Sequence, residues 1–257
     1  MRASGILRRL RPAAPDVLVA TSRRDRQSSV VLIGLGRRAL LVDPGWTPDE
    51  LDALAADLAA LGLTVEGVVA THAHYDHLLW HPSFGAARRW ASAPTASADR
   101  VAMLDELGPG FAPVTFRTAP PITPVRSRIP WTGPAVHVVV TDAHASGHAS
   151  LWIPRGRVLV AGDLLSDVEV PLLADDDPLG AAYRRGLDAI EPLAARAALV
   201  VPGHGAPGAD ALDRLHRDRR WLDALDVGRP PVDDPRTATE ANREAWSAAL
   251  AARHAVR

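Results

Sequence analysis

THAHYDH, residues 71–77, follows directly on the aliphatic run VEGVVA at 65–70. Within it His72, His74, Asp76 and His77 place three imidazoles and a carboxylate inside six residues. A short apolar run of this kind reads as a buried strand. The backbone leaving its end is irregular, so closely spaced side chains can diverge toward more than one ion. Neutral imidazole and carboxylate are what zinc and related divalent ions take when no thiolate is on offer. None is on offer here, because the chain contains no cysteine. The same absence removes thiol nucleophiles and disulfides. The spacing H-x-H-x-D-H thus makes a metal site the first hypothesis.

Working outward, three more metal-competent residues each close or follow a strand-like run. AVHVVVTDAH leads to His144, RVLVAGD to Asp163 and ALVVPGH to His204. Ligands of α/β proteins collect where strands end and loops begin. Upstream, DVLVA (16–20), SVVLIGL (29–35) and ALLVD (39–43) read as strands. Thr47 is placed to cap a helix that starts at Pro48, with leucines 51, 54, 58 and 61 on one face and Gly62 ending it. Downstream come a helical stretch around 97–107 and a proline-dense segment at 109–134. There Pro120, Pro121, Pro124 and Pro130 oppose regular ladders. Strands resume at 135–140, 149–153, 157–163 and 198–202, with helices expected at 178–195, 209–225 and about 238–254. Strands and helices mixed in this way predict one α/β domain over 1–257, with a helical C-terminal extension at about 209–257.

The 257 residues carry 29 basic and 30 acidic side chains, a formal net charge of −1. A balance so even speaks against a nucleic-acid partner held by a basic field. Every basic residue other than histidine is arginine, so Schiff-base and phosphate-loop lysine chemistry are excluded. No apolar run approaches the roughly 20 residues of a membrane span. The arginine-rich start is interrupted by Arg11, Pro12, Pro15 and Asp16, which suits a short solvated arm better than a signal sequence, and a cytoplasmic location is expected. Nothing in the sequence speaks to oligomeric state.

Taken together, LVDPG with Asp43, THAHYDH, DAHASGHASLWI, VAGDLL and VPGHG resemble the five motifs of the metallo-β-lactamase superfamily. The resemblance runs from the first strands to about Gly208. It implies a four-layer αβ/βα sandwich of two mixed sheets flanked by helices. It implies that His72, His74 and His144 hold one divalent ion, that Asp76, His77 and His204 hold a second, and that Asp163 bridges them. The expected ions are Zn²⁺, with Fe or Mn as alternatives. Asp43 is expected to hold the metal loop by hydrogen bonds, and His148 to support a ligand rather than be one. The implied chemistry is hydrolysis of a small-molecule ester, lactone or thioester by a metal-bridging hydroxide, with Asp76 orienting the nucleophile and relaying its proton. Iron-dependent oxygen chemistry on persulfides and phosphodiester hydrolysis are the alternatives within the same family.

Within the family, Leu164, Leu165 and Ser166 follow Asp163 where quorum-quenching lactonases carry a tyrosine. Asp163 itself departs from the pattern of true β-lactamases. For the substrate cleft, His81 in LLWHPSFG and the segment 109–134 are the candidates. Phe116 and Trp131, interleaved with Arg126 and Arg128, are expected to form a wall suited to an apolar substrate bearing an anionic group.

Overall fold

The structure is a computed structural model that describes residues 9–45, 47–98 and 119–256. Its first sheet has seven strands in sequence order: β1 (Arg11–Ala14), β2 (Val17–Thr21), β3 (Ser28–Ile33), β4 (Arg38–Val42), β5 (Thr64–Val69), β6 (Arg88–Ala91) and β7 (Ile122–Pro124). The first four run antiparallel. From β4 to β7 all pairs are parallel. The second sheet has the order β11 (Leu199–Pro202), β10 (Val158–Gly162), β9 (Ala149–Ile153), β8 (His137–Val140). There β10 and β11 are parallel and the other pairs antiparallel.

Three apolar interfaces stack these sheets with helices. Between the sheets lie Val30, Leu32, Leu40 and Val42 of one and Leu151, Ile153, Val158 and Val160 of the other. The outer face of the first sheet, with Val31, Leu41 and Val68, is covered by α1 (Pro48–Ala60) through Leu51, Leu54 and Leu58. The outer face of the second sheet packs on three helices: α4 (Ala181–Ala194), α5 (Ala211–Val227) and α6 (Glu240–Ala255). Tyr183, Leu187, Leu215, Trp221 and Trp246 fill that layer. Alternation along β3 sends Val30 and Leu32 inward and Val31 outward, and both faces are apolar because both are covered. The result is the expected αβ/βα sandwich.

Several local expectations differ from the structure. Thr47 stands at the head of α1, but its hydroxyl donates to Asp49 at 2.6 Å instead of capping the backbone. Leu61 lies at the helix end and is exposed. Residues 11–14 belong to an edge strand, not to a solvated arm. β6 has no β-branched residue and gave no sequence signal. Its Trp90 fits only because Gly67 of β5 has no side chain: a Cβ there would enter the indole ring. The prolines do not abolish the ladder: Ile122–Pro124 pairs with β6 at the sheet edge, where a missing N–H costs little. The helix expected near 97–107 falls largely outside the described residues. A one-turn α3 (Ala93–Ser97) precedes it. No described helix is long and apolar enough to cross a membrane.

Candidate metal centre

All the metal-competent residues named from sequence arrive at one end of the sandwich. β5 delivers the 71–77 loop, whose last part turns into the single-turn α2 (Tyr75–Leu78). β10 delivers Asp163, β11 delivers His204, and the turn between β8 and β9 delivers His144. Two groups form, each with ligand atoms within 4.8 Å of one another: His72, His74, His144 and Asp163, and then Asp76, His77 and His204. Asp163 stands between them. Its Oδ2 is 3.4 Å from His72 Nε2 and 3.3 Å from His144 Nε2, while its Oδ1 is 3.4 Å from His77 Nε2. Asp76 Oδ2 lies 3.1 Å from both His77 Nε2 and His204 Nε2.

The hydrogen bonds around the rings set their orientation. Thr71 Oγ1 donates to Asp43 Oδ2 at 2.7 Å, so it accepts from His72 Nδ1 at 3.0 Å. His77 Nδ1 points to Asp43 Oδ2 at 2.8 Å. His144 Nδ1 donates to the Leu172 carbonyl at 3.0 Å and His204 Nδ1 to the Asp25 carbonyl at 2.8 Å. Each of these four rings therefore turns Nε2 toward the centre. His74 offers Nδ1, which is 3.0 Å from His72 Nε2 and 3.1 Å from His144 Nε2. Tetrahedral ligands at zinc distances stand about 3.3 Å apart. Among the described residues, His77 Nε2 and Asp163 Oδ1 are buried without a hydrogen-bond partner. Converging lone pairs and an orphaned carboxylate oxygen are the donor set a divalent cation satisfies.

Burial and charge act unequally across the two groups. Burial holds His72 well below the usual imidazole range and brings His144 down to about 4, against the pull of Asp163. Burial also opposes a proton on His77, yet Asp76, Asp163 and Asp43 outweigh it and raise its pKa well above the usual range. His204 is likewise raised, to about 10, by Asp163, Asp76 and Glu169. Asp76 and Asp163 remain ionised despite burial, through the surrounding imidazoles. The second group thus attracts positive charge most strongly.

Asp43 and His148 both lie outside the two groups. Asp43 sits in a left-handed conformation (φ 48°) just beyond β4 and accepts from Thr71 N at 2.9 Å. Its own carbonyl accepts from Gln27 Nε2 at 3.0 Å and from the Ser29 hydroxyl. Buried His148 pairs through Nδ1 with Thr141 Oγ1 at 2.7 Å and accepts the Asp163 N–H on Nε2 at 3.0 Å. Burial brings its pKa to about 3, so it is a neutral acceptor. Gly203 completes the seat: a Cβ there would run into Asp163 Oδ1.

Around the centre is a cleft of about 310 Å³, lined by the candidate ligands His74, Asp76, His144, Asp163 and His204 together with Asp25, Tyr75, Glu169 and Leu172. His81 does not line it. That ring caps the turn Pro82–Phe84 by accepting from Ser83 N and pairs with Asp52 at 2.9 Å. Trp131 does not line it either. Its indole donates to the Pro134 carbonyl at 2.9 Å and packs over Gly34 and Gly133. It borders a cavity shared with Arg38, Glu66 and Arg88, which lie at the opposite, amino-terminal ends of the parallel strands. Arg126 and Arg128 are exposed and absent from the cleft lining. Phe116 lies outside the described residues. The wall expected from 109–134 is thus not built by Trp131. Glu169 and the carbonyls of Asp25 and Leu172 carried no sequence signal, and Thr71 stood in the 71–77 stretch without a role assigned to it.

The family model for the metallo-β-lactamase superfamily matches residues 23–204. Among solved structures, a metallo-β-lactamase family protein from Thermus thermophilus aligns with TM-score 0.65 and 22% identity, covering 93% of this chain and 92% of that one. A β-lactamase domain protein from Burkholderia ambifaria gives TM-score 0.67 and 19% identity over 97% and 90%. A metallo-β-lactamase from Pontibacter korlensis gives 0.65 and 18% over 84% and 99%. No curated protein matches the chain.

Proposed function

This chain belongs to the metallo-β-lactamase superfamily, and from that premise we propose that it is a metal-dependent hydrolase of small molecules with an ester, lactone or thioester bond. What carries the reading is the convergence of the imidazoles and the Asp76 and Asp163 carboxylates on one open cleft. His72, His74 and His144 would hold one ion and Asp76, His77 and His204 the other, with Asp163 between them. Zinc suits a set made only of imidazole and carboxylate. When bound, such ions polarise the substrate oxygen and make water nucleophilic near neutral pH.

The chain's own residues do the rest. Asp43 and Thr71 fix the rotation of His72 and His77. His148 fixes Asp163 through its backbone N–H. Asp76, at the cleft surface, would orient the attacking water and take its proton. Carboxyl derivatives are favoured over phosphodiesters because no arginine is among the described lining residues, and a transferred phosphoryl group is ordinarily met by cationic side chains.

The test is metal analysis together with turnover of protein loaded separately with zinc, iron and manganese. Substrates would be a panel of esters, lactones, thioesters, phosphodiesters and a persulfide. Two ions per chain and zinc-supported cleavage of a carboxyl derivative are expected. Oxygen consumption on the persulfide with iron alone, or cleavage confined to phosphodiesters, would overturn the reading.

A further inference from the structure

Glu169 is a cleft residue outside the ligand set, and its backbone is clamped on both sides. Its N–H donates to Ser166 Oγ at 2.9 Å, and Ser166 Oγ in turn donates to the His204 carbonyl at 2.7 Å. Its carbonyl accepts from Arg236 Nη1 at 2.9 Å. Arg236, buried between α5 and α6, also donates to the Ser166 carbonyl at 3.2 Å and to Asp218 Oδ1 at 2.6 Å. Asn242 of α6 brackets the segment by donating to the Val168 carbonyl at 2.7 Å and accepting from Val170 N at 3.4 Å. A short loop with this many fixed backbone groups holds its side chain at a defined place.

The carboxylate so placed has His204 as its ion-pair neighbour. Among the described residues it receives no hydrogen bond. Its Oε1 is 3.5 Å from His204 Nδ1, whose proton already goes to the Asp25 carbonyl at 2.8 Å. Among the described lining residues, Asp25 is the other acidic group outside the proposed ligand set, and there is no arginine. A substrate carboxylate would meet like charge here, whereas an ammonium would gain a charge-assisted hydrogen bond.

We propose that Glu169 is a specificity-determining residue that receives a protonated amine of the substrate, so that this enzyme's esters, lactones or thioesters are amine-bearing. This rests on the hydrolase reading for the bond cleaved, but not for the recognition of the amine.

The probes are glycine hydroxamate and acetohydroxamate, which share a metal-binding group and differ in one ammonium. Their binding to zinc-loaded protein is measured by calorimetry for wild type and Glu169→Gln. Wild type is expected to bind glycine hydroxamate about tenfold tighter or better, the scale of a hydrogen bond to a charged group. Glu169→Gln should erase that preference while leaving acetohydroxamate affinity and metal content unchanged. The same variant should lower kcat/KM for an aminoacyl ester relative to its desamino counterpart. Equal binding of the two probes by wild type, or an equal loss for both in Glu169→Gln, overturns the proposal. Discrimination between the probes without turnover of any ester would leave it standing and sink the hydrolase reading instead.

Discussion

The two ends of the parallel strands β4 to β6 are built on opposite terms. At the carboxyl ends, Asp43, Thr71, His72, His77 and His148 are buried polar groups, each engaged with another. At the amino ends, Trp131 fills the space over Gly34, and Arg38, Glu66 and Arg88 surround a water-accessible hollow. The larger cavity is at this second end, about 590 Å³ between α1 and the start of β5, against about 310 Å³ at the metal cleft. Size therefore does not mark the site. What marks it is polar groups removed from water and held so that a few lone pairs are left over, an arrangement that is costly unless a cation occupies it.

If that contrast is right, substitutions should sort by end. Asp163→Ala removes the carboxylate that stands between both ligand groups and should cost at least about a thousandfold in kcat/KM, with loss of bound metal. Activity that survives with one ion retained would show that the two groups work independently. His148→Ala removes the acceptor of the Asp163 N–H and the pairing with Thr141, and should weaken metal affinity by about 10–100-fold, read by competition with a chelator. An effect as large as that of His144→Ala would make His148 a ligand. At the far end, Trp131→Phe should leave kcat/KM within about twofold while lowering stability by about 1–2 kcal/mol through loss of the Pro134 hydrogen bond. A large fall in activity there would erase the distinction between the ends.

The same contrast explains which features are legible in the sequence. Strands β3, β4, β5, β9 and β10 announce themselves because covering on both faces demands largely apolar runs. The chemistry-bearing residues are legible because they follow those runs directly: His72 after β5, Asp163 after β10, His204 after β11. β6 hid because RRWA depends on an empty site across the sheet at Gly67, a fact of packing with no local signature. Trp131 misled for the converse reason. An aromatic residue among prolines and arginines looks like a cleft wall whichever end of the strands it occupies. Glu169 escaped because its placement is set from 67 residues away by Arg236.

That distant anchor separates two kinds of change. Asp218, Arg236 and Asn242 all lie beyond residue 204, where the family match stops, yet they bear on the loop that edges the cleft. A polypeptide ending at Gly208 would keep every proposed ligand and lose the scaffold that aims Glu169. Alterations to the tail can therefore reshape what the cleft accepts without touching the residues that would perform the chemistry. With Glu169 as the residue that receives the substrate amine, selectivity in this molecule would have a handle some distance from the candidate metal centre.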